Sequence, residues 1–331
     1  MATVLQVPEG IRRVKPYAYA DRNDIEELII PEGVRTIGDW AFHGCKNLKK
    51  ITFPETLTAI GSVAFADCPA LETVTFPSAL QTIGSLAFKG CVSLNHVVVP
   101  PSVTDLKGWA FEGCSSLSDI SFPKGLPSLE YGVLKDCVAL KELTLPEGLL
   151  TIKERAFDGC TGLTTLVIPD SVDTIRRGAF YGCINLTDVT VPDSLEVQGS
   201  NLFEGCKTLS SIRVARPNPQ VAENLFLSVA RFEDKLQAAV GLLSDDLDSP
   251  VLKDYLRRYT KQALQLFVDI DNDAMLHKLL NFDFLQGEID RCFDEVFANA
   301  NKKGNVKTTA VLMNHRHKSG GAADPTDEFE L

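Results

Sequence analysis

The stretch PEGVRTIGDWAFHGCKNLKKITF (Pro31–Phe53) runs without a break into PETLTAIGSVAFADCPALETVTF (Pro54–Phe76). A proline, an Ile-Gly, an Ala-Phe pair, a cysteine and a leucine keep their places while the residues between them change. Prolines stand at Pro8, Pro31, Pro54, Pro77, Pro100, Pro123, Pro146, Pro169 and Pro192, always 23 apart. Cysteines stand at Cys45, Cys68, Cys91, Cys114, Cys137, Cys160, Cys183 and Cys206 on the same interval. No insertion breaks the register over about two hundred residues, and a fixed period of this size means stacked, near-identical coils.

The segment with alternating apolar residues, LKKITF (Leu48–Phe53), predicts one strand per coil. Side chains alternate along a strand, so Ile51 and Phe53 point inward and Lys50 and Thr52 outward. Ten such strands, counting VLQV at the start, predict one parallel sheet about 43 Å long at about 4.8 Å per strand. Proline lacks an N–H, so a proline column just past each strand ends the ladder on one line. The Ala-Phe pairs place a small and a large residue side by side, and their phenylalanines should stack into a spine. Cysteine is a small, commonly buried residue that suits a tight corner. The glycines before it (Gly44, Gly90, Gly113) can take positive φ there.

Three motifs, IPEGVRTIGDWAFHGC, FPETLTAIGSVAFADC and IPDSVDTIRRGAFYGC, carry a resemblance to the BspA-like leucine-rich repeat family over about residues 1–215. That resemblance implies a right-handed solenoid with a parallel sheet on one face and irregular returns on the other. It also implies a binding or adhesion module, in many relatives a cell-surface one. The departures are local. Arg22 and Asp21 replace the cysteine and glycine in the first coil, which reads as an N-terminal cap of about residues 1–30. Counting from Pro31, the fifth unit has Val133-Leu134 for Ala-Phe and an extra Pro127, which predicts an irregularity. Gln198 falls in the aliphatic slot of the last full coil.

Past Pro217 and Pro219 the period stops and the apolar spacing turns helical. The solenoid is therefore assigned to 1–216, an α-helical domain to 217–317 and a disordered acidic tail to 318–331. Val229, Phe232, Leu236, Ala239, Val240 and Leu243 follow helical steps. Ser249-Pro250 is an N-cap and first-turn pair. Further helices are expected near Asp273–Leu280, Glu288–Asn301 and Asn305–His315. The last of these are faintly similar to ankyrin helix pairs. Their simple role is to cover the open end of the solenoid.

The chain has 331 residues, 44% hydrophobic and 23% charged, with a net charge of −11 spread over both parts. No basic stripe exists, so nucleic acid is not an expected partner. No apolar run approaches a membrane span, and no secretory leader is seen at the N-terminus, which predicts a cytoplasmic protein. The ladder cysteines lack matching histidines, and Cys292 on a helix beside Phe293 reads as packing. DIDND (Asp269–Asp273) begins like a calcium loop, then has Ala274 and Leu280 where glycine and glutamate are needed. His315 and His317 form a poor metal pair. No catalytic constellation, metal site or cofactor is expected, and the chain reads as not an enzyme.

What varies along the solenoid is the outward column Lys50, Thr73, His96, Asp119, Glu142, Thr165 and Asp188. These are the candidate binding residues for a protein partner. The next column, from Ile29 to Arg213, reads mainly as β-branched stacking. Trp40 and Trp109 share a place on the returns and are a second candidate anchor. The expected function is a non-catalytic interaction module that uses the sheet face, with the helices as cap or second docking surface. The alternative is an exported surface adhesin that binds host protein or glycan.

Overall fold

The structure is a computed structural model that describes residues 3–229, 231–243 and 247–319. The last part of the 318–331 tail lies outside the described residues. The described residues form a parallel β-solenoid followed by six C-terminal α-helices. The expected sheet forms in segments of three or four residues rather than six. Val4–Gln6, Glu27–Ile29 and Lys50–Thr52 pair in parallel, with Glu27 opposite Lys50. His96–Val98 pairs with Asp119–Ser121, and Thr73 bridges the two groups. Thr165–Val167, Asp188–Val191 and Ser211–Val214 form a separate group. The sheet is therefore not the single run of ten strands that the period predicts. Glu142–Thr144, in the fifth unit, forms no strand, and the ladder stops there.

A second ladder runs along the returns, which the family resemblance presents as irregular. Arg13–Val14, Thr36–Ile37, Ala59–Ile60, Thr82–Ile83 and Asp105–Leu106 pair in order. Ser128–Leu129, Thr151–Ile152, Thr174–Arg176 and Glu196–Gln198 make a second set. The break between the sets has a cause in one residue. Gln81 N–H donates to the Thr58 carbonyl at 2.8 Å and Thr104 N–H to the Gln81 carbonyl at 3.1 Å. One period on stands Pro127, which has no N–H to give to Thr104. The series resumes when Leu150 N–H donates to Pro127 at 3.0 Å. At the far end the register steps by 22 residues, with Val197 opposite Ile175 and Gln198 opposite Arg176. Val197 therefore fills the slot that strict periodicity gives to Gln198, which is exposed. Gly199, at φ +121°, lies between this step and the restored register at Cys206.

Inside the coil the phenylalanines do stack. Phe42, Phe65, Phe88 and Phe111 lie 5.2–5.7 Å apart with near-parallel rings, an offset-stacked spacing that adds to simple burial. Tyr19 of the cap coil begins the spine at 5.2 Å from Phe42. Leu134 interrupts it, and Phe157, Phe180 and Phe203 continue it. All of these phenylalanines are buried, each worth on the order of 1.5–3 kcal/mol.

Helix α1 (Pro219–Leu227) has no counterpart in the helical spacing read from the sequence. Its signal is the pair Asn218-Pro219, in which Asn218 caps the N–H groups of Gln220 and Val221 ahead of a first-turn proline. Helices α2 (Phe232–Leu242), α3 (Pro250–Asp269), α4 (Asp273–Leu280), α5 (Gln286–Lys303) and α6 (Val306–Ser319) follow. Ser249 caps α3 through the Leu252 N–H, and Gly304, at φ +70°, ends α5. Helix α2 lies on the last strand, with Gly241 against Ile212. From α2, Gln237 Nε2 donates to the carbonyls of Lys207 at 3.0 Å and Leu209 at 2.9 Å. Main-chain acceptors that a further coil would have met are satisfied instead by a side chain.

Candidate interaction surface

The outward column is held in line by strand pairing. Lys50, Thr73, His96 and Asp119 sit opposite one another in sequence, as do Thr165 and Asp188. Six of the seven are exposed and Asp188 is half-buried, while the strand centres beneath (Ile51, Val97, Ile120) are buried. His96 Nδ1 lies 2.8 Å from Asp119 Oδ2, and Arg213 lies 3.5 Å from Asp188. Glu142 belongs to the column in sequence, but the structure does not join it by a ladder to either neighbour. Here the two coils part, leaving an opening of about 460 Å³ whose lining includes Asp119, Phe122, Lys124, Glu142, Leu143 and Glu147. The sequence signals an irregular fifth unit but not an opening on the sheet face.

The two tryptophans are side-stacked rather than free. Trp40 packs on Tyr17 at 5.8 Å and on His43 at 4.7 Å. Trp109, 39% exposed, stacks on Tyr131 at 5.9 Å, and Lys153 covers the ring of Tyr131 at 5.4 Å. These contacts take up one ring face of each tryptophan, so neither indole stands free.

The cysteine ladder has a clear structural role. Cys91 Sγ donates to the Phe65 carbonyl at 3.2 Å, Cys114 to Phe88 at 3.2 Å, and Cys183 to Phe157 at 3.2 Å. The thiol is thus a small apolar filler that also ties each corner to the preceding coil. Burial pushes the Cys91 thiol up to about 12 and the Cys114 thiol up as well, the reverse of what a nucleophile needs. Cys292 is buried and bonds back to the Glu288 carbonyl at 3.3 Å. The acidic stretch after α3 is a helix junction. Asp269 accepts from Lys303 at 2.7 Å, and Asn272 caps α4 through the Met275 N–H at 3.1 Å. His315 packs against Phe293 at 5.7 Å. Among the described residues no group of three His, Cys, Asp or Glu is placed to hold a metal. Among them, no helix is long and apolar enough to cross a membrane.

A second polar feature escapes sequence reading. A cavity of about 300 Å³ at the seam between the last strand and the helices is lined by Ile212, Arg213, Leu242, Leu247 and Lys278, among others. The Lys278 ammonium donates to the Gly241 carbonyl at 2.8 Å. Burial first, and Arg213 second, lower its pKa to about 8.

The family model described as "BspA type Leucine rich repeat region (6 copies)" matches residues 12–141 and 128–233. Among solved structures, a leucine-rich repeat protein from Bacteroides ovatus is 28% identical with a TM-score of 0.55, over 63% of this chain and 62% of that one. This chain therefore spans somewhat less than two thirds of that relative. The T. pallidum Leucine Rich Repeat protein is 25% identical, covering 63% of this chain and 78% of its own, with a TM-score of 0.36. A leucine rich cell surface protein from Faecalibacterium prausnitzii is 21% identical, covering 66% and 80%, with a TM-score of 0.32. No curated protein matches.

Proposed function

The chain belongs to the BspA-type leucine-rich repeat family, and from that premise we propose that it is a non-catalytic protein-interaction module. Its partner is a protein, bound on the exposed column Lys50, Thr73, His96, Asp119, Glu142, Thr165 and Asp188. The observation that carries this reading is the contrast along one line of the solenoid. Outward side chains vary in charge and size and, Asp188 apart, stand exposed, whereas those beneath them are aliphatic and, Leu143 apart, buried. Repeat solenoids use such extended faces to bind. In this reading the solenoid comprises 1–216 and the helices of 217–317 serve as its C-terminal cap. Nine free cysteines, eight of them sealed in the core ladder, suit a reducing compartment, and we place the protein in the cytoplasm. Fractionation of the source cells tests that placement, and recovery on the cell surface overturns it.

Reversing charge at Lys50, Asp119, Glu142 and Asp188 together should cut capture of the partner by about tenfold or more, the scale of losing one or two central contacts. Affinity capture followed by mass spectrometry, wild type against variant, reads this directly. Undiminished capture of the same partner by the folded variant overturns the assignment of this face.

A further inference from the structure

In the fifth unit, Pro123–Leu145, three stacks of the solenoid fail together, while the cysteine ladder passes through it. Pro127 breaks the return ladder, Leu134 interrupts the phenylalanine spine, and Glu142–Thr144 forms no strand. Among the described residues no main-chain hydrogen bond joins Leu143 or Thr144 to either neighbouring coil. Leu143 is half-buried, while its equivalents in the inward column from Leu28 to Ile212 are buried. A half-open apolar side chain therefore sits beside unpaired main-chain groups, in the middle of the face and at the mouth of the 460 Å³ opening.

The rim of that opening is acidic. Asp119 and Glu142 stand exposed on it, and Glu142 has no side-chain partner among the described residues. Glu147 is occupied by Lys124 at 2.8 Å and Asp119 by His96 at 2.8 Å. Resting on the reading of this face as the binding surface, we propose that the opening seats an extended peptide with a basic side chain next to an aliphatic one. Each part of that ligand answers an observed feature. Main-chain N–H and C=O groups of an extended segment pair with Glu142–Thr144, the way a strand adds to an open sheet edge. The aliphatic side chain covers Leu143 and Phe122, and the basic group meets Glu142, with Asp119 beside it. A volume of about 460 Å³ falls within the size range of a ligand cleft.

The test uses the full chain and two fluorescent, end-blocked pentapeptides, Lys-Val-Lys-Val-Lys and Glu-Val-Glu-Val-Glu, with binding followed by anisotropy. The expected result is saturable binding of the basic peptide, about tenfold or more tighter than the acidic one. Glu142→Lys and Leu143→Asn should each weaken it about tenfold, as should N-methylation of the central peptide bonds. Glu142→Lys lies on the exposed rim, and unchanged circular dichroism confirms its fold. The inference is overturned by no saturation up to about 1 mM, by equal binding of the acidic peptide, or by indifference to Glu142, Leu143 or N-methylation. A Lys50→Glu/Asp188→Lys variant, altered on the same face away from the opening, separates the two readings. Partner capture lost in that variant, with no peptide binding, leaves the face as the docking surface and overturns the opening as its centre. Capture indifferent to every reversal overturns the face itself.

Discussion

At the scale of single residues the solenoid depends on left-handed backbone in two columns that recur through the coils. One column holds Trp40, Val63, Leu86, Trp109, Arg155 and Asn201, all at φ between +56° and +64°. Such angles are uncommon for a bulky or β-branched residue. They persist because the backbone at this position is tied to the next coil, as when Trp40 N–H donates to the Ser62 carbonyl at 3.0 Å. Before each ladder cysteine the second column holds either glycine or aspartate, with Asp67, Asp136, Gly113 and Gly159 all at positive φ. The aspartates fold over the glycine of the following coil, so the two glycines are not equivalent. A Cβ on Gly159 would collide with the Asp136 carboxylate, whereas one on Gly113 would find its nearest neighbour at 3.7 Å. Gly113→Ala should cost about 1–2 kcal/mol, the left-handed penalty alone. Gly159→Ala should cost about 1 kcal/mol more for displacing Asp136. Chemical denaturation of the two variants checks the order.

At the scale of elements, the join between strand and helix carries a stated cost. Lys278 on α4 is lowered to about 8 by burial and by Arg213 on the last strand. An unfolded lysine titrates near 10.4. Between those values the unfolded chain binds more protons, so this residue makes stability rise with pH; below pH 8 its cost is fully present. Lys278→Met should therefore raise stability at pH 7 by about 1–2 kcal/mol. The gain should shrink as pH approaches about 10, which thermal melts across that range will show. Elements were also where sequence reading was strongest and where it slipped. The 23-residue period located the coils, the spine and the cysteine corner because each repeats the same packing. It missed the return ladder because two-residue strands such as Thr36–Ile37 are too short to show alternation. It placed Gln198 wrongly because the register step of 22 residues leaves Pro192 and Cys206 on period. The opening at Leu143 was illegible for another reason: it arises from several substitutions acting together, none of which points to the sheet face.

At the scale of the molecule, the coils are stable only through their neighbours, so the ends decide solubility. Helix α2 covers the last strand, and Gln237 satisfies Lys207 and Leu209. A chain cut after residue 216 would bare the edge of Ser211–Val214 and its apolar Ile212, an invitation to pair with another edge. Light scattering behind a sizing column should show concentration-dependent oligomers for that fragment and not for the full chain; a monomeric fragment sinks the capping role. The same nearest-neighbour logic gives the buried cysteines a use that their packing does not advertise. Each coil from Pro31 to Cys206 holds one thiol, and each thiol can meet an alkylating reagent only when its own corner opens. Timed alkylation with mass spectrometric counting would turn the ladder into eight clocks, one per coil, that report in what order the stack comes apart.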